Sequence, residues 1–231
     1  MITRGKQSTP YFVIIYGTPG VGKTTLAAQA PDPVFLDLED GTALMDVARL
    51  SLTATDLSLK DALNEIYSAG PETLIIDSLT SLERIHTQQF CKEKGWQSVE
   101  SLDYGRSKNM WRQAFLEFLA SIVQTFRANS TNVILVAHSK TREVTDPVTQ
   151  LSYDRLELQC DKNLHPEIIA QADGVFLLKH KVLVKDEKAV GNGSRILLTR
   201  DKPQYVAKSR WDIPEQIIDP SKDLWASLTA Q

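Results

Sequence analysis

Cysteine is scarce in this sequence, in which Cys91 and Cys160 are the two cysteines among 231 residues. They have no close partner along the chain, and neither a CxxC nor an HExxH pattern occurs. A disulfide framework and a zinc site are therefore not indicated. Both cysteines are expected to be ordinary thiols, buried or half-buried.

Long apolar runs are also missing. The longest, such as VFLDL and NVILVA, are far shorter than the ~20 residues with which a helix crosses a bilayer. The chain does not open on a charged-then-apolar signal, and it contains no internal repeat and no low-complexity segment. We therefore expect a cytoplasmic protein without a membrane partner.

The composition is that of an ordinary globular protein, with 42% hydrophobic and 24% charged residues. The length suits a single domain over residues 1–231, with an N-terminal arm at 1–10 and a C-terminal tail at 213–231. The net charge of -3 is unevenly spread, because residues 179–210 carry nine Lys or Arg against three acidic residues. This basic segment suits contact with a polyanion. A lysine-rich hairpin that is simply exposed to solvent explains the same charge equally well.

Short apolar runs alternate with helical patterns along the chain. Strands are predicted near residues 11–16, 33–38, 72–77, 132–138 and 174–179. Helices are predicted over 107–128, where apolar residues recur every three or four positions, over about 79–94, and after the first strand as far as Pro31. This alternation predicts an α/β fold with a mainly parallel central sheet, helices on both faces, and ligands at the carboxyl ends of the strands.

The pattern changes after about residue 193. The runs SRILLT and QYVAKSRW, separated by the turn-like RDKP, predict an antiparallel C-terminal β-hairpin. Two other segments, 95–107 and 139–163, have no apolar periodicity. They are predicted to be long loops, which in a compact domain are usually functional or mobile.

The segment GTPGVGKTT follows the apolar run YFVIIY and satisfies the pattern GxxxxGK(S/T). In this motif the backbone N–H groups wrap a phosphate, the lysine neutralises the β and γ charges, and the hydroxyl that follows binds Mg²⁺. The sequence therefore predicts a site for a nucleoside triphosphate and Mg²⁺. Its predicted nucleotide contacts are Gly17, Thr18, Pro19, Gly20, Val21, Gly22, Lys23, Thr24 and Thr25, with Thr24 also on the metal.

Polar residues lie at the ends of three predicted strands. Asp77 ends TLIID and is the favoured carboxylate on the metal side, although such a residue is commonly a helix cap. Ser78 follows where a glutamate could have been the general base, so the base must come from elsewhere. Glu39, two residues after Asp37 and hence on the same strand face, is the candidate, with a solvated strand end as the alternative. His138, which follows NVILVA, is a candidate γ-phosphate sensor, although a terminal histidine is more often structural.

In this order, the glycine loop, FLDLED, TLIIDSLTSL, NVILVAHS and the basic hairpin resemble the core of RecA-type recombinase ATPases. The likeness is to the short RecA-like proteins of bacteriophages, often described as nucleotide-binding or AAA-type, some of which act in single-strand annealing and recombination. It covers about residues 10–212. The resemblance implies a RecA-like P-loop fold, ATP and Mg²⁺ as cofactors, and ATP hydrolysis.

The resemblance also implies roles for individual residues, with Lys23 among the catalytic ones. Glu39 matches the water-activating glutamate of the family and His138 its polar sensor. Arg200 and Lys202 match cations that RecA-type proteins present across a subunit interface to the γ-phosphate of the neighbour, so that hydrolysis would require assembly. Two exposed cations on a turn are the alternative for this pair.

The segments 95–107 and 139–163 match in position the two DNA-facing loops of the family. Single-stranded DNA, a homo-oligomeric ring or filament, and a single-strand-binding or other recombination protein are the partners implied, in the bacterial host cytoplasm if the chain is phage-encoded. The second segment has a net charge of -1, which is unfavourable for attracting DNA. The candidate DNA contacts are Tyr104, Arg106, Lys108, Lys140 and Arg142.

The leading hypothesis is a Mg²⁺-dependent ATPase that assembles on single-stranded DNA, is stimulated by DNA and oligomerisation, and supports recombination or strand annealing. A helicase-like or loader motor of the same fold and a non-hydrolysing nucleotide-binding switch stay open as alternatives. The lack of an NKxD motif disfavours a GTPase, and the lack of an arginine-rich lid disfavours a small-molecule kinase.

Overall fold

The computed structural model describes residues 9–185 and 188–229 of the chain. No helix in this described part is long and apolar enough to cross a membrane. The elements follow in the order β1 (Phe12–Gly17), α1 (Lys23–Ala27), β2 (Pro33–Asp37), β3 (Ala48–Ser51), α2 (Leu59–Ala69), β4 (Thr73–Asp77), α3 (Leu79–Lys94), α4 (Arg106–Ala128), β5 (Asn132–Thr145), β6 (Ser152–Leu158), α5 (His165–Gln171), β7 (Gly174–Lys185), β8 (Lys188–Leu198), β9 (Lys208–Ser209), β10 (Gln216–Ile218) and α6 (Asp223–Thr229).

A central sheet organises the fold, with the strand order β10-β8-β7-β1-β5-β4-β2-β3. Neighbouring strands are parallel from β3 through to β7, and β8 and β10 extend the sheet antiparallel. The predicted α/β class, with a mainly parallel sheet and an antiparallel C-terminal end, is confirmed. The weakly apolar β3 and the helix α2 were not predicted.

Helices cover both faces of this sheet. Along β1, Phe12 and Ile14 join the core formed with α2, α3, α4 and α5. Val13 and Ile15, which point the opposite way, join the core formed with α1 and α6. Every residue of β1 is buried, which explains why its sequence is a continuous apolar run rather than an alternating one. The predicted helices over 79–94 and 107–128 are confirmed as α3 and α4.

The C-terminal hairpin forms from partners other than those predicted. SRILLT belongs to β8, which pairs with β7 so that Leu198 lies opposite Leu177. QYVAKSRW contributes only β9, which pairs with the start of β7. The pairing of the two runs with each other was therefore wrong. The polar, glycine-containing stretch KDEKAVGNG gives no apolar signal for the pairing of β7 with β8.

The loop prediction for 139–163 was also wrong over most of its length. β5 continues past His138 and returns as β6 in an antiparallel ribbon, with Ser139 opposite Leu158 and Thr145 opposite Ser152. Most side chains of the ribbon are exposed or half-buried, so both faces are polar and the apolar alternation of a half-buried strand is missing. The segment 95–107 is a loop as predicted as far as a short 3-10 turn at Asp103–Gly105, and α4 begins at Arg106.

The C-terminal residues pack against the helix that follows the glycine loop. Trp225 of α6 is 1% exposed and stacks on Tyr11 with ring centroids 6.0 Å apart. Its indole N–H donates to the Leu26 carbonyl at 3.0 Å. This carbonyl lies in the last turn of α1 and also accepts the Gln29 N–H at 3.2 Å, so the indole adds a second bond that ties α6 to the end of α1.

Replacing Trp225 by Ala is expected to lower the free energy of unfolding by about 3–5 kcal/mol, because a large buried side chain and its hydrogen bond are both lost. Trp225→Phe keeps most of the apolar area and should cost about 1–3 kcal/mol. Urea denaturation measures both. Lys222→Ala, at an exposed neighbouring position, is the control and should change stability by less than about 0.5 kcal/mol. An unchanged urea midpoint for Trp225→Ala would contradict this account of α6.

Candidate nucleotide-binding site

The sheet register brings the ends of four parallel strands to one edge. Gly17, the last residue of β1, lies opposite His138 of β5. On the other side of β5, Val136 lies opposite Asp77, and Asp77 in turn lies opposite Asp37 at the end of β2. The polar residues predicted from four separate stretches of sequence are thus neighbours at the carboxyl edge of the sheet.

The glycine loop connects β1 to α1 at this edge. Gly22 has φ of 94°, which disfavours any residue with a side chain. At Gly17, a Cβ would collide with the carbonyl oxygen of Leu178 in β7. The loop therefore needs glycine at both positions, for backbone conformation at one and for close strand packing at the other.

Lys23 lies folded over the loop and is 5% exposed. Its Nζ donates to the carbonyls of Gly17 at 3.0 Å and Thr18 at 2.9 Å. Burial lowers the pKa of Lys23, and the carboxylates of Asp77 and Glu39 oppose that shift. The ammonium is thus held at the position where it can exchange carbonyl partners for phosphate oxygens.

Thr24 and Asp77 form a pair of oxygen donors beside the loop. The Thr24 hydroxyl donates to Asp77 Oδ2 at 2.7 Å. Burial raises the pKa of Asp77, the hydrogen bond from Thr24 lowers it, and the net direction is upward. Hydroxyl and carboxylate oxygens are the ligands that Mg²⁺ prefers, so this pair fits the metal. In the described part of the chain, no group of three or more His, Cys, Asp or Glu forms a metal site, so phosphate and water oxygens would complete the coordination.

Asp37 organises the turn that carries Glu39. β2 ends at Asp37, so the expectation that Asp37 and Glu39 share a strand face was wrong. Asp37 is 1% exposed and accepts the backbone N–H groups of Glu39 at 3.1 Å, Gly41 at 3.3 Å and Thr42 at 3.0 Å, together with the Thr42 hydroxyl. Its buried carboxylate clamps the turn and fixes the direction in which Glu39 leaves the backbone.

The Glu39 carboxylate is bound by two serines and faced by a histidine. The hydroxyl of Ser78 donates to Oε1, and Ser81 donates to the same oxygen at 3.0 Å. His138 Nε2 lies 3.5 Å from Oε2. Burial alone would raise the pKa of Glu39, but the serine hydrogen bonds and His138 outweigh it and hold the pKa below its usual value. Glu39 is therefore ionised at neutral pH.

The two serines were missed as partners of Glu39. Ser78 and Ser81 are three residues apart at the start of α3 and so lie on one side of its first turn. This spacing was visible in the sequence, but only the register of β4 against β2 shows that the two hydroxyls point at Glu39.

Arg200 and Lys202 lie away from the glycine loop of their own chain. The Arg200 guanidinium donates to the carbonyls of Ser209 at 3.4 Å and Trp211 at 3.3 Å. Ser209 lies opposite Gly174, the first residue of β7, and therefore near the amino-terminal edge of the parallel strands. Lys202 forms an ion pair of 2.9 Å with Glu215. Neither cation lies with Lys23, so a contact with phosphate could come only from a neighbouring subunit; that role stays a prediction.

Two of the candidate DNA contacts have exposed side chains at the start of α4. Tyr104 is 97% exposed, and Arg106 is exposed. Arg142, on the β5–β6 ribbon, instead lies 3.5 Å from the carboxylate of Glu157. An exposed aromatic ring next to an exposed cation is a combination that suits base stacking and phosphate contact.

The other two candidates, Lys108 and Lys140, both contact the short segment that follows β6. Lys108 Nζ lies 3.5 Å from Asp161, and Lys140 Nζ donates to the Cys160 carbonyl at 2.6 Å. The structure thus brings the first turn of α4 close to the segment that follows β6. It also shows that these cations already have partners within the chain.

Residues 9–211 match the model of a protein family described as AAA domain. The chain belongs to this family. The match contains the glycine loop, Glu39, Asp77, His138 and the basic C-terminal strands, so the AAA domain and the candidate site coincide. Among solved structures, a KaiC-like protein from the hyperthermophilic archaeon Pyrococcus horikoshii OT3 covers 92% of this chain and 91% of its own, with 18% identity and a TM-score of 0.47. No curated protein matches the sequence.

Membership identifies this AAA domain as a P-loop ATPase fold, for which nucleotide binding, typically with Mg²⁺, is the family property. The residues of the site fit that property, because the loop, Lys23 and the Thr24–Asp77 pair supply a phosphate cradle and oxygen ligands. The individual roles of Glu39 and His138 stay predictions, which mutation of each residue can test.

Proposed function

We propose that this protein is a Mg²⁺-dependent ATPase that hydrolyses ATP with Glu39 as the general base. The observation that carries the proposal is an ionised carboxylate, Glu39, held by Ser78 and Ser81 at the same sheet edge as Lys23 and the Thr24–Asp77 pair. A phosphoryl-transfer site needs these parts together: a phosphate cradle, a metal-side carboxylate and a group that positions water.

Each group of the site has a distinct part in this mechanism. The glycine loop and Lys23 bind the β- and γ-phosphates, and Thr24 with Asp77 holds the metal side. Bound Mg²⁺ would neutralise charge on the phosphate oxygens. Oε1 of Glu39 is engaged by two serines, so Oε2 is the oxygen that accepts the proton of the attacking water. His138, 3.5 Å from that oxygen, is placed to orient the water or to respond to the γ-phosphate.

The site is completed by assembly. Arg200 and Lys202 lie far from the glycine loop of their own chain, and a ring or filament would bring them to the γ-phosphate of the next subunit. A cation supplied in this way stabilises the charge that develops in the transition state. ATP hydrolysis would then depend on assembly of the subunits.

We further propose that assembly takes place on single-stranded DNA and supports recombination or strand annealing. The support is the resemblance of the sequence to phage RecA-like proteins, together with the exposed Tyr104 and Arg106 beside the base of the β5–β6 ribbon. Because Lys108, Lys140 and Arg142 have partners within the chain, binding would rest on stacking and on few phosphate contacts. We therefore expect a shallow dependence of DNA affinity on salt.

The test is ATP turnover with Mg²⁺, measured with and without single-stranded DNA. We expect turnover in both cases and a higher rate with DNA. Intact nucleotide binding without turnover in either condition would contradict the ATPase and favour a nucleotide-binding switch. Turnover without any effect of DNA would contradict the DNA-linked function.

The assembled form can be observed by electron microscopy with single-stranded DNA and a nonhydrolysable ATP analogue. Rings or filaments on the DNA are expected, and dispersed monomers would contradict the proposal. Unwinding of a partial duplex by the same preparation would instead identify a helicase-like motor of this fold.

A further inference from the structure

An arginine of the antiparallel C-terminal strands lies against the glycine loop of its own chain. Arg195 of β8 pairs with His180 of β7, and both residues are beyond the level at which β1 ends. A Cβ built on Gly22 would collide with Arg195 Nη1 and would lie 3.6 Å from Cζ. The half-buried guanidinium therefore rests directly on the loop backbone at Gly22.

The backbone of Arg195 is fixed, whereas its charged end is available. Its N–H donates to Asp219 Oδ1 at 2.7 Å, and its carbonyl accepts the Asp219 N–H at 2.8 Å. Within the part of the chain that is described, no carboxylate pairs with the Arg195 guanidinium. A second cation, Lys23, follows Gly22 directly. An anion bound at this loop would be attracted by both cations.

The position of Arg195 along the sheet indicates which part of a nucleotide it would meet. Asp77 and Glu39 belong to β4 and the turn after β2, on one side of β1. β7 and β8 lie on the other side. The γ-phosphate must face Glu39 for hydrolysis, so the α-phosphate and the nucleoside extend in the opposite direction, towards Arg195.

We propose that Arg195 is a nucleotide-binding residue of the same subunit that contacts the α-phosphate of bound ATP. The inference rests on the proposed function in one respect, namely that ATP occupies the glycine loop. A guanidinium carries a planar set of N–H donors that matches phosphate oxygens and is always charged. Arg195 would thus differ in role from Arg200, which lies at the opposite edge of the sheet and can act only on a neighbour.

A contact with the α-phosphate has a specific signature. ATP and ADP share this phosphate, so Arg195→Ala should weaken the binding of both by a similar factor, about 10- to 100-fold for the loss of a charge-assisted hydrogen bond. At saturating ATP, kcat should stay within about threefold of the wild-type value, since the contact is the same in the ground and transition states. KM should rise with Kd.

The experiment measures the Kd of ATP and ADP by calorimetry, and kcat and KM by steady-state turnover, for wild type, Arg195→Ala and Arg195→Lys. Arg84→Ala, which removes an exposed arginine on α3, is the matched control and should leave both Kd values unchanged. Arg195→Lys keeps the charge and should recover part of the affinity. It also provides a folded variant if Arg195→Ala proves unstable in urea.

Three results would overturn the assignment. Unchanged Kd values for both nucleotides in Arg195→Ala would exclude any contact. Weaker binding of ATP alone would place Arg195 at the γ-phosphate. A fall in kcat with unchanged Kd would make it part of the chemical step. Failure of wild-type protein to bind ATP would instead reject the proposed function itself, and is distinguished by the wild-type titration.

Discussion

Replacing Glu39 by Gln should slow ATP hydrolysis at least ~100-fold while leaving ATP binding within a few-fold of wild type, the scale at which a positioned base acts. Glutamine keeps an oxygen that can accept the hydrogen bonds of Ser78 and Ser81, so the turn held by Asp37 should stay in place. What is lost is the negative charge on the second oxygen, which the amide cannot replace as a proton acceptor. Single-turnover hydrolysis and equilibrium ATP binding together measure this.

Glu65→Gln is the matched control for this prediction, because it makes the same change at an exposed position on α2 and should leave the rate unchanged. An unaltered rate in Glu39→Gln would remove Glu39 from the role of base. Loss of ATP binding together with turnover would show that Glu39 supports the loop rather than the chemistry. A slower rate with intact binding is the expected result.

Replacing Arg200 by Ala should reduce turnover by about 10³-fold with ATP binding retained, as expected for a cation that acts on the transition state from a neighbouring subunit. A contribution within the same chain does not explain such a loss, since Arg200 binds the carbonyls of Ser209 and Trp211 near the far edge of the sheet. Lys202→Ala should act in the same direction. Steady-state hydrolysis of the assembled protein is the measurement.

Mixing distinguishes action on a neighbour from damage to the fold. A Lys23→Ala subunit cannot cradle phosphate but still carries Arg200, so adding it to Arg200→Ala protein should restore part of the turnover. The double variant Lys23→Ala with Arg200→Ala is the control and should restore nothing. Absence of rescue, with mixed assembly demonstrated independently, would reject a role between subunits.

The sequence predicted the phosphate-binding loop and the strands around it with nearly correct bounds. β1, β2, β4 and β5 are continuous apolar runs because parallel strands are buried on both faces, and this signal is local. The loop pattern, including Gly17, Gly22 and Lys23, is local as well. Because parallel strands end at one edge, their order along the chain was enough to predict that Asp77, Glu39 and His138 would lie together.

The partners of those residues could not be read from the sequence. Asp37 was expected to accompany Glu39 on a strand face, and it is instead a buried acceptor for the turn that follows. The β5–β6 ribbon was taken for a loop because a strand exposed on both faces has no apolar alternation. The polar stretch KDEKAVGNG gives no hairpin signal for the pairing of β7 with β8.

By itself, then, the sequence determined the class of fold, the phosphate loop and the set of polar residues at the sheet edge, since burial and turn geometry leave local patterns. Only the tertiary structure decided that Ser78 and Ser81 hold Glu39, that Arg200 faces away from its own loop, and that Arg195 lies against Gly22. These are contacts between residues far apart in the chain. They depend on strand order and register, which arise from the packing of the whole sheet and leave no trace in any single stretch of sequence.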